Sequence, residues 1–420
     1  MFEKIVFVNI ILNATGLFRF LAPQFDVEVS RISIALFSIN IIYIFTSIKN
    51  TIITFKKVKL WLFLLIIWPL LTLIYSPLID FRQIGLQLYC FTLFFSSIIY
   101  IQKNGIRSFH RIIDWSLFIT VFGLLLSMIV PEYFHTVAEL VDGRLFYGGR
   151  SFGFFMQPNS LSMGLNLIYI CWFMMWRKNM SSLEAFAHLL FIAIQLLTGS
   201  RTGIILISAI LIIHLYYRWR TKQKNLNKII FFYSKIIIFA ILFSITIYLM
   251  RTQIDTFSHV MDRDLFNRLN NLLNFQLSDE YTILDDGSVR DRLEAQKIYI
   301  SLIYKRPFIG YGMGANLFYI NRGFFIRSSH SAMLETAMEY GVIYPVVFII
   351  MMLLLIRNRN RFKVEMKFGT NSVVQFVFFV IIMFIFTGGI LTHRTFYVIW
   401  GFVFSIINFS YLVDDYYLKR

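Results

Sequence analysis

The chain has 420 residues, of which 58% are hydrophobic and 15% charged, with a mean hydropathy of +0.67. That balance excludes a soluble globular domain and makes a bilayer the solvent. The formal charge of +17 raises nucleic acid as a partner, but the basic residues sit in short connections between apolar runs, which argues against one. The 47 Phe and 22 Tyr suit a lipid-facing surface with aromatic belts at its edges. Cys90 and Cys171 lie inside apolar runs and read as small core residues, with neither a disulfide framework nor a thiolate metal site.

The chain opens on Met1-Phe-Glu-Lys and an apolar stretch interrupted by Asn9, Asn13 and Arg19. It carries no small-residue cleavage signal and reads as a retained first span. A spanning helix takes about 20 mainly apolar residues. About twelve spans are therefore predicted, near residues 5–22, 32–48, 60–78, 84–102, 112–130, 155–176, 184–200, 202–217, 229–249, 331–356, 372–391 and 396–413. Basic residues collect in alternate connections, at 49–59, 103–111, 177–178, 218–228 and 357–367. The positive-inside rule makes these cytoplasmic and puts both termini inside. The expected fold class is an all-α integral membrane protein, with transmembrane helices 1 to 9 in residues 1–249, an extracytoplasmic helical cap in residues 250–330, and transmembrane helices 10 to 12 in residues 331–420.

The segment 250–330 is too long for a simple connector. Met261, Leu265, Leu269, Leu272 and Leu273 fall at helical spacing, a pattern suited to lying on a membrane surface. Ser288-Val-Arg-Asp291 resembles a capping box opening a second helix, which Pro307 and the Gly310-Tyr-Gly-Met-Gly314 turn would end.

Four outward features place polar or cationic groups at span ends, where such residues are functional candidates. In Gly148-Gly-Arg-Ser-Phe-Gly-Phe-Phe-Met-Gln-Pro-Asn159, Arg150 reads as a ligand-facing cation, and Asn159 either caps the sixth span or binds a sugar hydroxyl. In Thr198-Gly-Ser-Arg-Thr-Gly203, Arg201 is either a phosphate ligand or an anchor that snorkels to water. Arg290 and Arg292 lie in the first turns of the cap helix, where helix amides also attract anions, with solvated surface arginines as the alternative. His330-Ser331 marks the start of the tenth span. A helix N-terminus disfavours imidazolium, so a neutral His330 there could accept a proton, although a lone histidine is also often structural. Glu335 and Glu339 share a helix face and either orient His330 or stabilise a polar network, which His393 and Arg394 could join. No phosphate-binding Gly-rich loop, zinc spacing or Gly-x-Ser-x-Gly elbow is present, so an already activated reagent is expected.

These blocks resemble the O-antigen polymerase and O-antigen ligase superfamily of bacterial envelope glycan assembly. Gly149-Arg-Ser-Phe-Gly-Phe-Phe-Met-Gln-Pro-Asn159 is similar to its Gly-Arg...Phe...Asn-Pro-Asn block, with Gln157 in place of the first Asn. Leu197-Thr-Gly-Ser-Arg201 resembles its Ser-Arg turn. Arg292, Pro307, Gly310–Gly314, and His330-Ser331 followed nine residues later by Gly341-Val-Ile-Tyr344 resemble its His-[Asn/Ser/Gln]-x9-Gly-x-x-[Gly/Thr/Tyr] signature. The resemblance covers residues 148–345. It implies a membrane glycosyltransferase of the C type and an inverting transfer with no metal and no cofactor. It also implies that Arg201 and Arg292 bind the donor diphosphate, with Arg290 a rival for the second place, and that His330 deprotonates the acceptor.

The reading that follows is an inner-membrane polymerase with a periplasmic site. It transfers a growing glycan from undecaprenyl diphosphate to a new lipid-linked repeat unit. Its expected partners are that lipid-linked oligosaccharide, membrane lipids and a chain-length regulator protein, with no nucleic acid. A ligase that moves finished polymer to lipid A core carries the same motifs. A flippase for the same lipid would instead show repeated halves with helices interrupted near the midplane.

Overall fold

The computed structural model describes residues 2–25, 27–77, 79–142, 153–175, 191–192, 194–195, 198, 200, 203, 205–210, 212–213, 287–321, 329–357, 370–388 and 390–408. Among them every regular element is helical. Four helices are long and apolar enough to cross a membrane, or five if the bent pair at the N-terminus is one span. Three shorter apolar helices, Ile343–Ile356, Val374–Phe386 and Arg394–Asn408, accompany them. The amphipathic pattern near 259–276 falls outside the described residues.

The core is built around the Arg394–Asn408 helix, in which every residue from Thr395 to Ile407 is buried. It packs against Phe81–Asn104 and Phe2–Thr15. Trp400 stacks on Phe376 and Phe396 and meets Trp61 edge-on at 5.1 Å. Outer faces of the long helices carry large apolar side chains in the open, among them Phe45 at 70% and Phe118 at 61% exposure. In water that surface would associate; facing lipid it is what a spanning helix requires. The helices are also joined by polar contacts. Asn9 Nδ2 donates to Asn40 Oδ1 at 2.9 Å, Asn13 Nδ2 to Asn9 Oδ1 at 2.9 Å, Ser96 Oγ to Asn40 Oδ1 at 2.9 Å and the Tyr89 hydroxyl to Asn13 Oδ1 at 2.5 Å. Such bonds hold membrane helices together where no hydrophobic force does.

The spans are less regular than their hydropathy. The first predicted span is two helices, Phe2–Thr15 and Leu17–Gln24, bent by 99°. Gly16 makes the bend: its φ is +69°, and a Cβ there would stand 3.1 Å from the Phe154 carbonyl oxygen. The third predicted span begins earlier, so the basic residues of 49–59 lie on the helix Ile48–Leu62, which continues through π and 3-10 turns to Tyr75. The tenth is divided at Gly341 into Ala332–Tyr340 and Ile343–Arg357. The expected capped helix after 286 is Gly287–Lys305, ending just before Pro307, and Ala315–Asn321 follows the glycine turn. The loop 131–154 contains the helix Pro131–Asp142.

Gly16→Val is expected to lower the thermal midpoint of the purified protein, with Gly16→Ala intermediate. A left-handed conformation costs a branched residue about 1–2 kcal/mol, and the added methyls meet Phe154 as well. Unchanged melting of the Val variant would show that the bend does not need glycine.

Candidate functional site

A cavity of about 720 Å³ lies where the interruptions meet. Its wall takes Gly16 and Arg19 from the first bend, Asp80 and Arg82 from the start of Phe81–Asn104, and Gln157 and Asn159 from the start of Pro158–Met175. Asn316, His330, Glu335, Glu339, Gly388, His393 and Arg394 complete it. Asn13 also lines it, ten residues along the first helix from Glu3, or about 15 Å. Glu3 pairs with Lys103 at 3.2 Å, so the cavity is remote from that basic end.

His330 stands on the wall in a left-handed conformation, φ +55°. Histidine tolerates this region better than most residues, but it persists only where neighbours hold it. Here they do. The Ser329 hydroxyl donates to the Ser331 carbonyl at 3.0 Å and accepts from the Ser331 amide at 3.1 Å. Gln296 Nε2 donates to the Ser329 carbonyl at 3.3 Å. Ser331 caps the next helix by accepting the Leu334 amide, and the Ala332 amide donates to the Thr387 carbonyl at 2.8 Å. Gly388 leaves room for this: a Cβ there would come within 3.2 Å of His330 Cα and 2.8 Å of Glu335 Oε1.

Glu339 is buried and accepts the amides of Gly314 and Asn316, each at 3.2 Å. The Gly312 amide donates to its carbonyl at 2.7 Å and the Tyr311 amide to that of Met338 at 2.9 Å. The far side of the same turn is tied to another span. The Met313 amide donates to Thr72 Oγ1 at 3.0 Å and Ser76 Oγ to the Met313 carbonyl at 2.6 Å. Glu339 therefore fastens the glycine turn to the helix that follows His330. Glu335, one turn earlier, has Ser329 Oγ at 3.5 Å.

Asn159 lies inside the first turn of its helix rather than at the cap, and Ser200 Oγ donates to its Oδ1 at 3.0 Å. The turn around Ser200 is closed by its amide on Thr198 Oγ1 at 3.2 Å and by the Gly203 amide on its own Oγ at 3.2 Å. Arg201 and Arg150 lie outside the described residues. Arg290 and Arg292 are on the helix Gly287–Lys305; the Arg290 side chain is outside the described set. Arg292 is half-buried one turn before Gln296 and is not part of the cavity wall. The structure thus brings His330, Asn159, Glu335 and Glu339 to one space and does not bring Arg292 to its wall.

Arg19, Asp80 and Arg82 are cavity residues that lie outside the sequence motifs. The signal was there in each case, a charge at the end of an apolar run on the side opposite the basic connections. His393 is a second cavity imidazole. Its Nε2 faces the Ser160 carbonyl at 3.1 Å, and its ring stacks on Phe155. Burial pushes its pKa down to about 4, and repulsion from Arg19 and Arg394 adds to this. It is neutral at pH 7 and too weakly basic to be an effective proton acceptor there.

The sign of the linkage follows from that depression. The unfolded chain binds a proton at this residue near pH 6.5 and the folded chain only near 4, so stability is full above about 6.5 and declines as pH falls towards 4. Replacing His393 with Gln, which keeps a donor for Ser160, is expected to flatten the fall in melting temperature between pH 7 and pH 5. Parallel pH profiles for the two proteins would contradict the buried neutral state.

No curated protein matches the chain. The family described as O-Antigen ligase matches residues 186–349, a stretch holding Arg201, Arg292, His330, Glu335 and Glu339 together with the glycine turn. By that match, this stretch of the chain is similar to the O-antigen ligase family, in keeping with the resemblance that its motifs carry.

Proposed function

We propose that the protein is a polymerase of O-antigen or a related surface polysaccharide, acting at the periplasmic face of a bacterial inner membrane. It moves a growing glycan from its undecaprenyl diphosphate carrier onto the free end of a new lipid-linked repeat unit. The observation that carries the reading is the position of His330. It lies in the matched stretch, on the wall of a polar cavity, and its strained backbone is held by a full set of neighbours. Arg19, Asp80, Arg82, Glu335 and Arg394 on that wall come from connections or span ends that the basic-residue pattern assigns to the outside.

The chemistry needs little else. The acceptor hydroxyl attacks the anomeric carbon from the face opposite the diphosphate, giving inversion; the C–O bond to the diphosphate breaks, and His330 takes the hydroxyl proton. Arg201 and Arg292, with Arg290 as the neighbour that can share the second place, neutralise the departing diphosphate through their planar forks. Arg150 and Asn159 support the sugars, and Glu339 holds the turn rather than reacting. No metal is required, because a lipid diphosphate is already a good leaving group. A chain-length regulator acts beside the enzyme.

The ligase reading has one observation in its favour, the description of the matching family. It uses the same donor half and differs only in the acceptor. In a deletion strain, single-repeat glycans on lipid A indicate a polymerase, and unattached lipid-linked polymer over bare core indicates a ligase.

Complementation of that strain tests the site. His330→Ala is expected to reduce chain extension by about 10²–10⁴-fold, and Arg201→Ala or Arg292→Ala by about 10²–10³-fold, at unchanged membrane levels and in the presence of chelator. Normal polymer ladders from His330→Ala would refute the assignment.

A further inference from the structure

The cavity wall carries cations that the proposed mechanism does not use. Arg394, at the start of the last helix, sets its guanidinium over the rings of Phe18 and Tyr89, 4.4 and 4.5 Å from their centroids. Its Nη2 donates to Ser33 Oγ at 3.2 Å, while Nη1 is buried with no hydrogen-bond partner. Arg19 lines the same cavity, and its charge disfavours the charged forms of both Arg394 and His393. Among the described residues no carboxylate lies within 4.0 Å of either arginine. The nearby acids are otherwise engaged, Glu339 with backbone amides and Asp80 with the Arg82 amide.

Two like charges that repel across one cavity, one of them with a buried unbonded nitrogen, call for an anion between them. We propose that Arg19 and Arg394 form an anion subsite for the phosphate or diphosphate group of a lipid, with Arg394 as the buried anchor and Arg19 closing on the group from the bent helix. A guanidinium stacked on two rings presents its remaining edge in a fixed plane, the geometry that suits phosphate oxygens. Arg19 also sits on Leu17–Gln24, the short helix turned 99° from the spanning direction, which places it at the level of lipid headgroups if Phe2–Thr15 crosses the bilayer. The identity of the ligand as a carrier diphosphate rests on the proposed function; the subsite itself does not.

The test is binding of farnesyl diphosphate to the detergent-purified full chain, with Arg19→Gln, Arg394→Gln and Arg394→Lys beside the wild type. Folding of each is checked by gel filtration and melting. Loss of a charge-assisted hydrogen bond is expected to weaken binding roughly tenfold or more in both Gln variants, with Arg394→Lys retaining part of the affinity. Arg19→Gln decides the matter if Arg394→Gln fails to fold. A folded Arg19→Gln protein that binds as tightly as wild type overturns the proposal, as does a wild type that does not bind. Repeating the measurement in phosphatidylglycerol nanodiscs separates the sources: displaced probe assigns the subsite to phospholipid headgroups, and retained probe assigns it to a diphosphate carrier. His330→Ala is included as the control on function. If it keeps binding and also keeps normal polymer, the polymerase reading fails while the subsite stands.

Discussion

A bilayer leaves a backbone amide or carbonyl no water to bond, so a break in a spanning helix survives only where it is buried in protein or lines a polar cavity. This chain breaks its helices at Gly16, at the 72–75 turn, at 153–157, across 310–316, at 330–331, at Gly341 and across 387–393. Most of these breaks contribute to or support the wall of a single space. The cavity and the breaks are one feature, since each makes the other tolerable. Charges follow the same rule, which is why Arg19, Arg82, Arg394, Asp80 and Glu335 all appear on that wall.

Within this arrangement Glu339 has a particular part. A buried carboxylate is costly unless its oxygens are met, and the two amides it accepts lie on the glycine turn that is also pinned to Thr72 and Ser76. One side chain thus connects three segments far apart in sequence and keeps the helix after His330 in a set relation to the span ending at Tyr75. The asparagine ladder through Asn9, Asn13 and Asn40 does comparable work deeper in the bundle, and its upper member, Tyr89, carries the ring over which Arg394 lies.

Much of this was legible from residues alone. The apolar runs, the buried cysteines, the helix ending before Pro307 and the start of a helix at Pro158 follow from length, burial and proline geometry. The meeting of His330 and Asn159 could be suspected from motif order, because both motifs lie on one face of the predicted topology. The breaks inside predicted spans, at Gly16 and Gly341, were not legible, because hydropathy averaged over a window does not register a single left-handed glycine. Arg19 and Arg82 carried a signal, a charge at a span end, but one that looks the same whether it snorkels to water or faces a cavity. Asn159, read as a helix cap or a sugar ligand, accepts the Ser200 hydroxyl, a contact between turns that no local pattern encodes.

The account depends most on this cavity facing outward. Leu317 lines it and is partly exposed, while the native Cys90 and Cys171 are buried, so a cysteine placed at Leu317 is the accessible thiol among these three positions. The decisive measurement is labelling of Leu317→Cys by a membrane-impermeant maleimide in spheroplasts. Reaction from the outside, without opening the membrane, is the result expected. Labelling only after the membrane is permeabilised would turn the site towards the cytosol and contradict the account.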